Sequence, residues 1–126
     1  MFDVEKQVDY WRQGAVEDWQ VAVKLVGDGK CRHGLFFAHL ALEKMLKALV
    51  CRHTRDVPPR IHNLTRLGEL AGLSPDARQA DALADMNQFN TEGRYPEFLT
   101  APPTGEEAAN YLAVSEEIFA WLTRQF

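Results

Sequence analysis

The stretch that most constrains the fold runs from Gly34 to Arg52, GLFFAHLALEKMLKALVCR. Placed on a helix at about 100° per residue, its apolar residues do not form a single stripe. Leu35, Leu46, Val50, Leu42, Leu49, Ala38 and Met45 fill one broad arc, and Phe37, Ala41 and Ala48 carry it round the back. Only Glu43, Lys47 and Lys44 remain as a narrow polar wedge. A helix apolar round most of its circumference must be covered on several sides at once. Its charges and its 19 residues rule out a membrane span. The expectation is a central helix, wrapped by the other helices or shared with a second subunit. His39 falls inside the apolar arc and is expected to support packing.

The remaining segments supply the wrapping. Val4, Val8, Trp11, Ala15, Ala22, Leu25 and Val26 recur at helical spacing, so a first helix is expected from Asp3, its cap, to Val26. Trp19 falls at the edge of that stripe and is expected to widen the core. After the central helix, Val57-Pro58-Pro59 interrupts. Asn63 is placed to cap a short third helix with Leu64, Leu67 and Leu70 inward, ended by Gly72. Ser74-Pro75 reads as the start of a fourth helix ending near Thr91-Glu92-Gly93. Arg94 to Pro103 holds three prolines and no periodicity, a loop. Thr104 with Glu107 reads as a capping box opening a last helix, with Tyr111, Leu112, Ser115, Ile118, Phe119, Leu122 and Phe126 on one face. No segment alternates with period two long enough for a strand. The fold class expected is all-α: one domain over residues 1–126, an up-and-down bundle of four long helices plus one short helix.

Charge is distributed unevenly along this frame. Between Lys30 and Arg66 lie eight basic residues against two acidic ones, a balance of +6, and all four histidines. With a net charge of −4, the rest of the chain carries −10. The basic segment flanks the central helix, which suggests a local anion site, whereas the overall acidity argues against broad coating of nucleic acid. Cys31 and Cys51 are separate thiols without metal-ligand spacing. The amino terminus has no basic and then apolar run of a secretion signal, so a cytoplasmic location is expected. No GxxxxGK[ST], GxGxxG or HExxH pattern is present, and neither a cofactor nor a metal is expected.

The run Ala41-Leu42-Glu43-Lys44-Met45-Leu46-Lys47-Ala48-Leu49 resembles the AxEKxxKAL core of the HEPN family, the higher eukaryotes and prokaryotes nucleotide-binding domain. Three further anchors follow the same order. Trp11, Ala15, Asp18, Ala22 and Leu25 are similar to the family's first helix. Pro58-Pro59-Arg60-Ile61-His62-Asn63-Leu64 with Leu67 is similar to its PxxTHDLxxL segment, with Ile for Thr and Asn for Asp. Met86-Asn87, Phe89-Asn90 and Arg94-Tyr95-Pro96 are similar to its LN…RYP end of the fourth helix. The resemblance implies a helical bundle that dimerises, is often paired with a minimal nucleotidyltransferase in toxin–antitoxin systems, and is in many members a metal-independent RNase with an Arg-x4–6-His motif.

That motif is not where the family places it. Arg94 stands near the right position, yet no histidine follows His62. Arg32 with His39 and Arg55 with His62 match the spacing elsewhere, and both are read as chance. The resemblance therefore implies a HEPN-like protein lacking the catalytic histidine, which binds nucleotide or RNA, or a nucleotidyltransferase partner, through a cleft around Glu43, Lys47, His62, Asn90, Arg94 and Tyr95. Two alternatives stand beside it: an RNase toxin with a degenerate site using Arg94 and His62, and a helical dimerisation or scaffold module. His62 itself either caps and packs the third helix or reaches the cleft.

Overall fold

The computed structural model describes residues 2–90 and 101–126. It contains helices α1 (Val4–Gly27), α2 (Cys31–Thr54), α3 (Leu64–Leu70), α4 (Ala77–Met86) and α5 (Gly105–Thr123), and no strand among the described residues. The all-α bundle is as expected. The caps explain most boundaries. The Asp3 carboxylate accepts from Lys6 N, Asn63 accepts from Arg66 N, and Thr104 and Glu107 form a reciprocal capping box.

Three boundaries differ from the sequence expectation. Helix α2 begins at Cys31, ahead of Gly34. Ser74-Pro75 does not open α4; Asp76 does, because its side chain accepts from Gln79 N while the Gln79 side chain accepts from the Asp76 N–H. That reciprocal pair satisfies two end donors where Ser74 would satisfy one. The fourth helix also breaks after Met86, with a turn at Asn87 before helical residues at 88–90, and the expected end near Thr91-Glu92-Gly93 lies outside the described residues. The Asn87 side-chain oxygen accepts from Leu64 N at 2.7 Å, tying the end of α4 to the start of α3.

Helices α1 and α2 form an antiparallel hairpin. Asp18 meets Lys44 near the middle and Glu5 meets Arg55 at the far end, so residue numbers across the seam run in opposite directions. Close to the turn, a Cβ added at Gly34 would lie 2.5 Å from Val26 Cγ2, so the helices there approach more closely than any side chain allows. Helix α2 packs against α1, α3 and α5, while α4 packs on α3 and α5.

Fourteen of the 24 residues of α2 are buried, so its neighbours in the same chain already cover the apolar arc. A second subunit is not needed to explain that arc. The core joins Leu35, Leu42, Met45 and Leu46 of α2 to Leu64, Leu67, Leu83, Met86, Ile118 and Leu122. Each fully buried Leu or Ile contributes about 1.5–3 kcal/mol. Trp19 does lie at the core edge, stacked on Phe119 with ring centroids 5.2 Å apart. Among the described residues, no helix is long and apolar enough to cross a membrane.

Candidate functional site

The polar wedge of α2 faces inward. His39, Glu43 and Lys47 follow one another at a spacing of four, one above the next along the helix, and are 0%, 4% and 6% exposed. Burying a carboxylate and an ammonium costs several kcal/mol each unless they are paired and hydrogen-bonded. Here they are: Lys47 Nζ donates to Glu43 Oε2 at 3.1 Å. The ammonium also lies 5.4 Å from the centroid of the Trp11 ring on α1, a cation–π contact.

The second carboxylate oxygen reaches out of α2. His62, in the segment before α3, donates from Nδ1 to Glu43 Oε1 at 3.0 Å. His39 donates from Nε2 to the backbone carbonyl of His62 at 3.1 Å, with its Nδ1 3.8 Å from Glu43 Oε1. The ring and the backbone of His62 are thus both fixed from α2. Its side chain is 47% exposed, so the imidazole is where this buried cluster meets solvent. With Nδ1 engaged by the carboxylate, Nε2 is the second ring nitrogen, a lone pair in a neutral imidazole and an N–H donor in a protonated one.

His62 is therefore not the cap of α3. Asn63 is, and His62 faces α2. Of the residues expected at a cleft, Glu43, Lys47 and His62 come together. Asn90 lies one turn beyond Asn87, in the helical run after α4. Arg94 and Tyr95 lie outside the described residues. His39 bears out its expected burial and does more than fill space, because it holds the His62 carbonyl. His39, Trp11 and Asn87 were not among the expected site residues. The i, i+4, i+8 line of His39, Glu43 and Lys47 was the signal for the first.

The basic segment does not act as one block. Lys44 pairs with Asp18 at 2.7 Å, Lys47 with Glu43, Arg55 with Glu5 and Arg66 with Glu69. Arg52 lies with its guanidinium 5.8 Å from the Phe126 ring centroid, and Arg12 of α1 sits 4.1 Å from the same ring. Arg60, two residues before His62, is exposed and has no ion pair among the described residues.

The residues meeting at this point also carry the family resemblance. Trp11, the Glu43–Lys47 pair, His62 with Leu64, and Asn87 each come from a different one of its four anchors. The model of the HEPN domain matches residues 8–125. The chain belongs to the HEPN domain family. Two solved structures share the HEPN fold seen here. TT1696 from Thermus thermophilus is 23% identical, with a TM-score of 0.80 over 95% of this chain and 98% of that one. ST0689, an archaeal HEPN homologue, is also 23% identical, with a TM-score of 0.72 over 99% of this chain and 98% of that one. No curated protein matches the chain.

Proposed function

We propose that this HEPN protein binds the phosphate groups of a nucleotide or of RNA at the surface where His62 emerges, with Arg60, Asn90, Arg94 and Tyr95 completing the contact. The observation that carries this reading is a buried polar cluster, Glu43, Lys47 and His39, that meets solvent through the half-exposed His62. Packing alone does not call for such a group in an otherwise apolar helix, since apolar residues of similar volume are often as stable. The ammonium of Lys47 is taken up by Glu43, so its part is to balance the carboxylate, and the phosphate contacts fall to His62 and the arginines.

The protein acts as a homodimer, in keeping with a family whose members commonly dimerise, and with a minimal nucleotidyltransferase as partner in a toxin–antitoxin-like pair. Light scattering should give twice the chain's 14.3 kDa at micromolar concentration, and a constant 14.3 kDa would refute the dimer.

The binding test is a titration of ATP and of a short oligoribonucleotide at low salt. A charge-assisted hydrogen bond contributes about 1.5–3 kcal/mol, so Arg94→Ala and His62→Ala should each weaken binding roughly tenfold to a hundredfold. Arg124→Ala, at the end of α5, should leave it unchanged. Equal affinity in Arg94→Ala, His62→Ala and Arg124→Ala would remove the site.

A further inference from the structure

Two arginines from different helices meet on one aromatic ring. Arg12 of α1 places its guanidinium 4.1 Å from the centroid of Phe126, and Arg52, in the last turn of α2, places its own 5.8 Å from the same centroid. The ring is half-buried on Val8, Ala48 and Cys51, which fixes its place. Each contact alone is an ordinary cation–π pair. Together they hold two like charges close to one another, which is unfavourable until a negative charge joins them. Among the described residues neither guanidinium has an ion pair or a hydrogen bond. Glu5, at this end of the hairpin, is taken by Arg55 at 3.3 Å, and Asp56 accepts from the Val57 N–H at 2.7 Å. An arginine in the last turn of a helix offsets the carbonyl end of the helix dipole, and that accounts for the place of Arg52. It does not account for Arg12, which stands in the interior of α1.

Arg52 also borders a hollow of about 330 Å³ beside the ends of α2 and α3, lined by Leu49, Ala71 and Leu73 together with His53 and Gln125. Arg52 follows Glu43 by about two and a half turns of α2, so it leaves the helix on the side opposite the His62 cluster. We propose that Arg12 and Arg52, held on Phe126, form a second anion site that binds a phosphate group. It is separate from the surface at His62 and shares no residue with it. The guanidinium fork matches two phosphate oxygens at once. Two forks bring two charges, which a dianionic phosphate balances and a single carboxylate does not. Because neither arginine is committed to a carboxylate, no ion pair has to break when the anion enters. The hollow beside Arg52 has room for the rest of the phosphate compound, with the exposed His53 ring next to it.

The test follows the arginine Nε–H signals in nitrogen-15 spectra of the full chain while sodium pyrophosphate is added at low salt. Sodium chloride at matched ionic strength is the control and should leave the signals in place. With pyrophosphate the Arg12 and Arg52 signals should shift together and saturate, half-way at about 1 mM or below. Arg52→Ala should weaken binding roughly tenfold to a hundredfold, the range of a lost charge-assisted contact. Arg52→Lys, which keeps the charge and loses the fork, should weaken it less. Arg78→Ala removes the same charge from α4 and should change nothing, and thermal melts check that each variant is folded. His62→Ala should leave both shifts in place. An oligoribonucleotide that moves the two signals at lower concentration than pyrophosphate identifies a nucleic-acid backbone as the source of the phosphate. One that needs a higher concentration identifies a small phosphate compound. No shift at about 10 mM pyrophosphate, or equal weakening by Arg52→Ala and Arg78→Ala, overturns the proposal. Loss of the shifts in His62→Ala also overturns it and leaves a single site, at His62. Shifts that persist while His62→Ala leaves ATP and RNA affinity unchanged support this site and remove the other.

Discussion

Lys47→Met isolates what the buried ion pair does for the fold. Methionine keeps most of the stem and removes the ammonium, leaving Glu43 at 4% exposure with His62 still donating to it from outside the helix. Removing one partner of a buried pair costs about 3–5 kcal/mol, because the other charge is left uncompensated. Two features place this site toward the lower end. The hydrogen bond from His62 survives, and the half-exposed ring lets water approach the carboxylate. The expected loss is therefore about 3 kcal/mol, a large fraction of the roughly 5–15 kcal/mol that holds a domain folded. Urea unfolding followed by far-ultraviolet circular dichroism measures it. Adding Glu43→Gln to Lys47→Met should recover more than half of the loss, since no buried charge then remains. A single variant within about 0.5 kcal/mol of wild type would refute the reasoning, because that is the behaviour of a surface substitution. So would a double variant less stable than the single one.

Three other outcomes follow from particular residues. Burial pushes the Cys51 thiol above its ordinary pKa, and Cys31 is only half-buried; a thiol reagent at neutral pH should label Cys31 in the native protein and Cys51 only on unfolding, as read by peptide mass. Gly72 has φ +74°, and a Cβ there would lie 2.8 Å from the His53 ring. Because that exposed ring can swing aside, Gly72→Ala should cost about 1–2 kcal/mol from the backbone, and His53→Ala in the same protein should relieve little of it. Hydrogen bonds from the Thr104 backbone and side chain hold the Glu107 carboxyl below its usual pKa. Its contribution is thus present above the ordinary glutamate range and lost as pH falls through the lowered value. Thr104→Ala should cost about 1 kcal/mol near neutrality and flatten the acid limb of stability against pH.

How much of this was legible depends on how local the cause was. The central helix could be read from Leu35 to Val50 because burial on several sides leaves its mark on the composition of one segment. Asp3, Asn63 and Thr104 were legible as caps because a cap is decided within four residues. The start of α4 misled because two local signals, Ser74-Pro75 and Asp76-x-x-Gln79, lie two residues apart, and the reciprocal one prevailed. The role of His62 could not be read locally. Its partners Glu43 and His39 lie 19 and 23 residues away, and only the return of the chain before α3 brings them together. The basic segment misled for the same reason, since the carboxylates of Asp18 and Glu5 come from another helix.

The hairpin of α1 and α2 also sets an order of events. Its three-residue connection lets Val26 and Gly34 meet early, and each further turn of contact then closes only a slightly longer loop. During synthesis, residues 4–54 emerge before any of α3 or α5 exists, so this pair can zip from its turn while the chain is still growing. The cluster on α2 waits longer. Glu43 and Lys47 can pair as soon as the helix forms, but the His62 ring and the His39 hydrogen bond arrive only with the next segment. Folding rates should therefore respond to substitutions at the Val26–Gly34 contact, while changes at His62 should act chiefly on unfolding.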